Sequence, residues 1–437
     1  MATTTQRIFG LALMTLGLGL GAWGCGDDDS SGAGCTKDTD CGEAEVCNSG
    51  TCAMSSGQSS NAASNTTSGA TSNATTGGDT TPAVTCETPE AVAEPYVMAR
   101  VYSDTNASDE SAYVGGYEPG TDMPMGEVPV RMFAPGPFAP VETKATTCAD
   151  GQVAFGGLEE GSYFIAPEFE QGATCGQRNC PQRLPQALAE GRVKIVTFGD
   201  SVPVVGDAPF FPSRLATLFA PLAAVDNQNL AIGGTTSNNW LPNTNNFQNR
   251  LAPALDNADV VMISLGGNDI LAYVQGLFNG DIGALLGDIP ALIGAVTEEV
   301  SRIIDNILEI AAAIREINAT IDIVYILYPD YSLAQNDQMW SLVNTFVGAD
   351  AVSEVLVSAR ANIPRDSDII LIDIFGASEG LPLDDYLYDS LHFNSRGQTF
   401  YAEEIFKGLG GVLIGPSPLD AQPRSPLGLE ASFSLQP

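Results

Sequence analysis

The chain has 437 residues, of which 44% are hydrophobic, so it can bury a sizeable core and holds two or three domains of ordinary size. It carries 53 acidic against 18 basic side chains, a formal net charge of −35 at pH 7. This balance argues against nucleic acid as a partner and against electrostatic docking on an anionic membrane, because both need a basic face.

The N-terminal residues 1–25 have the pattern of an export signal. Arg7 precedes the apolar run Ile8–Trp23, which is too short and glycine-rich for a spanning helix of about twenty residues. Cys25, followed by a polar stretch, resembles a bacterial lipoprotein cleavage site, which implies that Cys25 is lipidated and becomes the first residue. We expect an exported protein, either a cell-envelope lipoprotein of the outer membrane or extracellular, that meets the membrane only through this N-terminal lipid anchor.

The cysteine count agrees with export. Nine cysteines without Cys25 leave eight, four within residues 26–53 and four from Cys86 to Cys180. Even numbers favour disulfides formed outside the cytoplasm, although four cysteines already allow three pairings. A zinc site is the alternative for the first cluster, but that cluster has no CxxC pair and no nearby histidine. We predict a Cys-rich module over 26–53, followed by a Ser/Thr/Asn/Gly linker over 54–85.

Residues 86–180 contain short β-rich runs separated by turn residues, namely PYVMARVYS, VPVRMFA, GQVAFGGL and GSYFIAPEF. The last two runs place Val153 and Phe155 on one face, then a turn, then Tyr163 and Ile165. They resemble the last hairpin of carboxypeptidase-regulatory-like modules, which implies a small all-β sandwich domain over 86–180. Such a module is a spacer or binds a ligand, and the spacer is favoured because a fold alone does not imply a function.

Residues 190–415 alternate strand and helix. Four apolar runs of strand length predict strands buried on both faces, hence a parallel sheet covered by helices: VKIVTFG, VVMISLG, DIVYILYP and DIILIDIF. Thr297–Ile317 repeats apolar residues at helical spacing. We therefore predict a three-layer α/β domain over 190–415, followed by an unpatterned, proline-containing tail over 416–437.

Polar or glycine-rich clusters follow the predicted strands. In an open parallel sheet, ligands bind beyond the carboxyl ends of the strands, so these clusters should meet at one edge. The clusters contain, in chain order, Ser201, the pair Gly233 and Gly234, Asn268, and Asp389 three residues before His392.

His392 is the single histidine of the chain, so any histidine-dependent mechanism uses it. Imidazole is neutral near pH 7 and can accept a serine proton, and a carboxylate at Asp389 can hold its tautomer. Each cluster also has a structural interpretation: a packed histidine, a serine that caps a helix, an asparagine that braces a loop, and a glycine turn. Four such coincidences at one sheet edge are a weaker explanation than one site.

The blocks FGDS, NLAIGGTT, GGND and DSLH occur in this order and resemble the four signature blocks of SGNH/GDSL hydrolases, over residues 192–410. The resemblance implies a flavodoxin-like, three-layer SGNH domain. It also implies that Ser201 is the nucleophile, that His392 is the general base and that Asp389 is its orienting acid.

The same resemblance implies an oxyanion hole with three donors: the backbone N–H groups of Ser201 and Gly234, and the side-chain amide of Asn268. The sequence departs from the family in two places, because FGDSVP lacks the Leu that often follows the serine and the apolar stretch after Asn268 is long. No metal and no organic cofactor is implied.

We expect a serine ester hydrolase that forms an acyl-enzyme and acts on a small-molecule, lipid or polysaccharide ester, as an esterase/lipase or a carbohydrate deacetylase. Residues 270–295 could form an apolar lid for fatty acyl chains, or a helix packed on the sheet, which is favoured. Trp240 and its Asn-rich neighbours could stack on a sugar or form a solvated loop. The alternative function is a surface-anchored binding or adhesion lipoprotein with an inactive SGNH fold. The sequence carries no signal for an oligomeric state.

Overall fold

The computed structural model describes residues 45–48, 51–54, 94–103, 120–136, 139–168, 180–278, 289–346, 348–363, 367–419 and 429–435. The predicted signal segment with Cys25, and most of the predicted Cys-rich module and linker, lie outside these residues. The chain divides into two compact units, Met1–Ala83 and Val84–Pro437. In the first unit, strands β1 (Glu45–Asn48) and β2 (Thr51–Met54) form an antiparallel pair.

The second unit begins with an all-β part and continues with alternating strands and helices. The first part contains β3 (Tyr96–Ser103), β4 (Met123–Pro124), β5 (Pro129–Ala134), β6 (Val141–Thr146), β7 (Gln152–Gly156) and β8 (Gly161–Pro167). The second part contains α1 (Leu184–Ala189), β9 (Arg192–Gly199), α2 (Phe211–Phe219), β10 (Ala224–Asn229), β11 (Val260–Ser264), α3 (Gly267–Phe278), α4 (Ile289–Ile317), β12 (Asp322–Ile326), α5 (Gln338–Phe346), α6 (Ala349–Asn362), β13 (Ile369–Ile372) and α7 (Ser395–Gly408). Two further strands follow, β14 (Gly411–Ile414) and β15 (Leu429–Leu435).

A parallel sheet with the strand order β10-β9-β11-β12-β13 forms the centre of the second part. Alternate side chains of its inner strands enter two different cores, as the two-residue period of a strand requires. Val193 and Ile195 pack with α1, α2 and α7 on one face, whereas Val196 and Phe198 pack with α4 on the other. The predicted three-layer α/β fold is therefore confirmed.

The four apolar runs correspond to β9, β11, β12 and β13, and the predicted helix over Thr297–Ile317 lies within α4. The sequence did not predict β10, because this edge strand has the polar sequence AVDNQN and is largely accessible to solvent. Residues 267–278 and 289–317 are helical, as the packed-helix interpretation of 270–295 expects, while 279–288 lie outside the described residues.

The all-β part consists of two small sheets that share one core. One sheet has the order β14-β8-β5-β6, and the other has the order β15-β3-β4, with β7 also paired to β3. Val153 and Phe155 of β7 and Tyr163 and Ile165 of β8 all enter the shared core, as their alternation predicted. The predicted hairpin between these strands is wrong, because β7 pairs with β3 whereas β8 pairs with β5 and β14, so the two lie in opposite sheets.

The end of the chain returns to the all-β part. β14 lies antiparallel to β8, where it satisfies backbone groups along that edge and buries Val412 and Ile414. β15 runs parallel to β3 from Leu429 to Leu435. The prediction of an unpatterned tail over 416–437 is therefore wrong for 429–435, and the boundary at 415 cuts between two strands that belong to the all-β sheets.

Phenylalanine rings join the all-β part to the α/β part. Phe133 of β5 and Phe164 of β8 belong to the same core cluster as Phe219 of α2 and Phe406 of α7. The Phe164 and Phe219 ring centroids are 6.2 Å apart, and those of Phe219 and Phe406 are 4.9 Å apart in an edge-on arrangement. The two parts thus share a core, which is a closer association than a spacer requires.

A buried carboxylate holds the start of the α/β part. Asp322, at the start of β12, accepts backbone N–H groups of Gln182, Arg183 and Leu184, which fixes the entry into α1. Burial raises the pKa of this carboxyl to about 6, even though the three N–H donors lower it. Cys148 and Cys180 each take part in a disulfide.

Among the described helices, none has by itself the length and hydropathy needed to cross a membrane. A bent pair, Gln338–Thr345 with Ala349–Asn362, meets the length and composition criteria together.

The shared core predicts that a cavity in the all-β part destabilises the whole second unit. Phe164→Ala should lower the free energy of unfolding by about 3–5 kcal/mol, because the Phe164 ring is fully buried against Phe133 and Phe219. Urea unfolding followed by tryptophan fluorescence measures this loss. Val141→Thr, at a half-exposed position of β6 in the same sheet, should change it by less than about 0.5 kcal/mol. A loss below about 1 kcal/mol for Phe164→Ala would contradict the shared core.

Candidate active site

Ser201 lies just beyond β9, in a turn that requires a glycine. Gly199 has φ +142°, and a Cβ there would lie 1.9 Å from the Ser264 carbonyl oxygen, so no other residue fits. The Asp200 N–H donates to the same carbonyl at 2.9 Å, and the Asp200 carboxylate accepts the Val202 N–H at 3.1 Å. This turn holds Ser201 beyond the sheet edge.

The loop that carries His392 is held from outside by two aromatic side chains. The Tyr331 hydroxyl donates to the Leu391 carbonyl at 2.8 Å, and Trp340 Nε1 donates to the Ser390 carbonyl at 2.6 Å. The two rings stack on each other with centroids 4.9 Å apart. These contacts fix the backbone on the N-terminal side of His392.

His392 connects Ser201 to Asp389. Its Nε2 lies 2.8 Å from Ser201 Oγ, and its Nδ1 lies 2.9 Å and 2.8 Å from the two carboxylate oxygens of Asp389. Because a carboxylate can only accept, Nδ1 of the neutral ring carries the proton and Nε2 presents its lone pair to the Ser201 hydroxyl. The imidazole is 7% exposed, so this arrangement is largely shielded from water.

Asp389 is held in its ionised form. Partial burial raises the pKa of its carboxyl, but hydrogen bonds from the His392 ring and from the backbone N–H groups of Leu391 and His392 outweigh this and lower it to about 2. The carboxylate therefore stays charged at any ordinary pH and can stabilise a proton on the ring.

The three predicted oxyanion donors lie in the turns after β9, β10 and β11. Among the described residues, no acceptor lies within hydrogen-bond distance of the backbone N–H of Ser201 or Gly234. The same holds for Gly233, whose Cβ position would be 3.8 Å from Ser201 Cβ, so the glycine pair lies beside the nucleophile turn. Asn268 Nδ2 donates to the Thr235 carbonyl at 3.0 Å, which leaves its second N–H for another acceptor.

Thr235 and Trp240 fix the glycine turn against the nucleophile turn. The Thr235 hydroxyl lies 2.9 Å from the carbonyl oxygens of both Gly199 and Ile232, and Trp240 Nε1 donates to this hydroxyl at 3.0 Å. The Trp240 ring is fully buried and packs on Phe198, with centroids 5.0 Å apart. Trp240 therefore cannot stack on a sugar, and that interpretation is wrong because the ring belongs to the core.

The buried carboxylate of Asp269, next to Asn268, holds the segment around Ser237 by hydrogen bonds. Asp269, whose side chain is fully buried, accepts the Ser237 N–H at 2.8 Å and the Ser237 hydroxyl at 2.7 Å. Arg302 Nη2 donates to Asp269 at 3.0 Å, and Asn306 Nδ2 donates to the Ser237 hydroxyl at 2.8 Å. The network connects the turns after β10 and β11 to helix α4.

His392 thus contacts both Ser201 and Asp389. Gly234 and Asn268 lie at the same sheet edge. Cys25 lies outside the described residues. Sequence reasoning missed the residues that support this site, namely Thr235, Ser237, Asp269, Arg302, Tyr331 and Trp340. Their only sequence signal is that several of them adjoin the recognised blocks. No group of three or more His, Cys, Asp or Glu side chains able to hold a metal ion occurs in the described ranges.

The Asp269 network predicts a stability effect. Asp269→Asn should lower the free energy of unfolding by about 1–3 kcal/mol. The amide NH2 of the new side chain would face a group that now donates to the carboxylate, and the negative charge opposite Arg302 would be lost. Chemical denaturation measures the change. Asp226→Asn, at an exposed carboxylate on edge strand β10, should be neutral within about 0.5 kcal/mol. An equal change in the free energy of unfolding for the two substitutions would show that the Asp269 hydrogen bonds do not stabilise the fold.

Residues 197–400 match the model of the GDSL-like lipase/acylhydrolase family. No curated protein matches the chain. Solved structures similar to it include the lipase Lip_vut3 from a goat rumen metagenome (18% identity, 52% of this chain and 100% of that chain, TM-score 0.40), phospholipase A1 from Streptomyces albidoflavus NA297 (19%, 49% and 98%, 0.35) and a Clostridium thermocellum family 3 carbohydrate esterase (17%, 49% and 94%, 0.30). The family match identifies residues 197–400 as a GDSL-like lipase/acylhydrolase domain, a hydrolase of the esterase/lipase kind.

Proposed function

We propose that the chain hydrolyses carboxylic esters through a Ser201–His392–Asp389 triad and an acyl-enzyme intermediate. The observation that carries the proposal is the 2.8 Å contact from His392 Nε2 to Ser201 Oγ, on a ring whose Nδ1 faces both oxygens of an ionised Asp389. A base in this position and tautomer can take the serine proton as the hydroxyl attacks.

In the first half of the reaction, Ser201 Oγ bonds to the ester carbonyl carbon while its proton moves to His392 Nε2. The imidazolium so formed is stabilised by Asp389, which stays unprotonated. When the tetrahedral intermediate collapses, the bond to the alcohol oxygen breaks and His392 returns the proton to that oxygen. The alcohol leaves and the acyl group stays on Ser201.

In the second half, water takes the place of the alcohol. His392 removes a proton from the water, the resulting hydroxide attacks the acyl carbon, and the Ser201 oxygen leaves with the proton that His392 returns to it. The products are the acid and the free enzyme, so protons and electron pairs balance without any other reactant.

Negative charge gathers on the carbonyl oxygen in both halves. The N–H groups of Ser201 and Gly234 and the free amide N–H of Asn268 are the donors that we assign to it, since the two backbone N–H groups have no other acceptor among the described residues. Such donors are fixed before the reaction and therefore act without reorganisation. Loss of one typically lowers kcat by about 10²- to 10³-fold.

We further propose that the substrate is a small-molecule, lipid or polysaccharide ester, that the protein is exported, and that Cys25 carries its lipid anchor. The leader pattern and the disulfides at Cys148 and Cys180 support export. An apolar lid over 270–295 stays a prediction, because 279–288 lie outside the described residues. No observation on the described residues favours the alternative of an inactive binding protein.

The central test is hydrolysis of p-nitrophenyl acetate, butyrate and palmitate by the full chain. Ser201→Ala and His392→Ala should each lower kcat/KM by at least about 10³-fold, because each removes a group that no neighbour replaces. The chain-length profile of the wild type separates the ester classes, since short acyl chains favour a deacetylase and palmitate favours a lipase.

Ser213→Ala, at an exposed serine of helix α2, is the matched control and should keep wild-type kcat/KM. Persistent ester turnover by purified Ser201→Ala would contradict the proposed triad. Absence of turnover in folded wild type on all three esters would instead favour the inactive binding protein.

Asp389→Asn should lower kcat/KM by about 10³- to 10⁴-fold, because an amide facing Nδ1 favours the tautomer with the proton on Nε2, which cannot accept from Ser201. The lowered pKa of Asp389 means that its charge, and the stabilisation that it gives, is lost only as the pH falls toward about 2. The wild-type pH profile should therefore show no titration of Asp389 above about pH 4. Asp385→Asn, which removes an exposed carboxylate paired with Arg396, serves as control, and a loss under tenfold in Asp389→Asn would contradict this role.

A further inference from the structure

A partly buried tyrosine lies behind the nucleophile turn. Tyr328, two residues beyond the end of β12, donates its hydroxyl hydrogen to Asp200 Oδ2. The other oxygen of Asp200 accepts the Val202 N–H, so one carboxylate connects Tyr328 to the residue that follows Ser201. Asp200 is 2% exposed, which leaves it no bulk water as an alternative partner. The position of Ser201 and its N–H therefore depends on where Tyr328 holds Asp200.

The same ring contacts the turn that carries Asn268. A Cβ at Gly267 would lie 3.2 Å from Tyr328 Oη and Cζ, which is tighter than side chains normally pack. Glycine at this position lets the backbone before Asn268 lie directly on the phenol. Tyr328 thus touches two of the three turns that supply the proposed oxyanion donors, through a hydrogen bond on one side and packing on the other.

The titratable groups that interact electrostatically with Asp200 are Tyr328, His392, Asp269, Tyr325, Tyr331 and Tyr401. No Lys or Arg of the described residues makes an ion pair with Asp200. Among the described residues, the Tyr328 hydroxyl is therefore the one side-chain hydrogen-bond donor to this buried carboxylate. Removing a donor to a buried carboxylate costs more than removing an exposed one, because water cannot replace it.

We infer that Tyr328 is a positioning residue for the oxyanion hole: its hydroxyl, through Asp200, sets the Ser201 N–H, and its ring, through Gly267, sets the Asn268 amide. This inference rests on the proposed ester hydrolysis. The Tyr328 hydroxyl donates to Asp200 and not to a residue of the triad, so it acts through the two turns. Its loss should weaken binding of the transition state without weakening binding of the ground-state ester.

Tyr328→Phe in the full chain tests the inference with p-nitrophenyl acetate, after titration of active sites with a fluorophosphonate so that kcat refers to competent enzyme. We expect kcat to fall by about 10- to 100-fold with KM unchanged within about twofold, because displaced donors cost less than deleted ones. Tyr401→Phe is the control: the Tyr401 side chain is more buried than that of Tyr328, and its hydroxyl has no hydrogen-bond partner among the described residues. It should retain wild-type kcat.

Asp200→Ala provides a second, independent variant. If Tyr328 acts through Asp200, the double variant Tyr328→Phe/Asp200→Ala should lose no more kcat than Asp200→Ala alone, within about threefold. If Tyr328→Phe does not fold, Asp200→Ala replaces it as the test, and this variant should likewise lower kcat and leave KM unchanged.

The inference is overturned if Tyr328→Phe keeps kcat within threefold of Tyr401→Phe, if its loss lies in KM, or if the losses in the double variant multiply. Ser201→Ala, assayed alongside, separates a failure of the proposed function from a failure of the role assigned to Tyr328. An active Ser201→Ala refutes the proposed function, whereas an inactive Ser201→Ala beside a fully active Tyr328→Phe refutes only the role of Tyr328.

Discussion

The contact between His392 Nε2 and Ser201 Oγ joins residues 191 positions apart, and most of the polar structure around the site serves to keep it at 2.8 Å. On one side, Gly199 and Asp200 fix the nucleophile turn against β11. On the other side, Tyr331 and a stacked tryptophan hold the histidine loop through backbone carbonyls. Rigid supports on both sides matter because a proton transfer tolerates little error in distance.

The parallel sheet explains why residues so distant in sequence can meet. All five described strands of the central sheet point the same way, so the turns after β9, β10 and β11 open at one edge. This much was predictable, since buried parallel strands appear as continuous apolar runs and the residues after them stand out as glycine or polar blocks. Ser201, Gly234, Asn268, Asp389 and His392 lie in those blocks, and their roles followed from the resemblance to SGNH/GDSL hydrolases.

What the sequence could not predict depends on partners that local patterns do not name. Strand β10 is polar because it lies at a sheet edge. For Trp240, only the folded chain shows that the ring is buried against Phe198 and cannot stack on a sugar. Likewise, β15 alternates apolar and polar residues over Leu429–Leu435, but this pattern does not indicate that its partner is β3. Asp269 lies in the GGND block and Tyr328 in the apolar run DIVYILYP, but only the folded chain shows which turns they connect.

The most direct test of the central claim is covalent labelling of the full chain with a fluorophosphonate, followed by peptide mass spectrometry and assay of residual esterase activity. One adduct is expected, on the peptide that contains Ser201, with activity lost in proportion to labelling, since His392 activates that hydroxyl alone. An adduct on a different serine, or activity that survives complete labelling of Ser201, would contradict it.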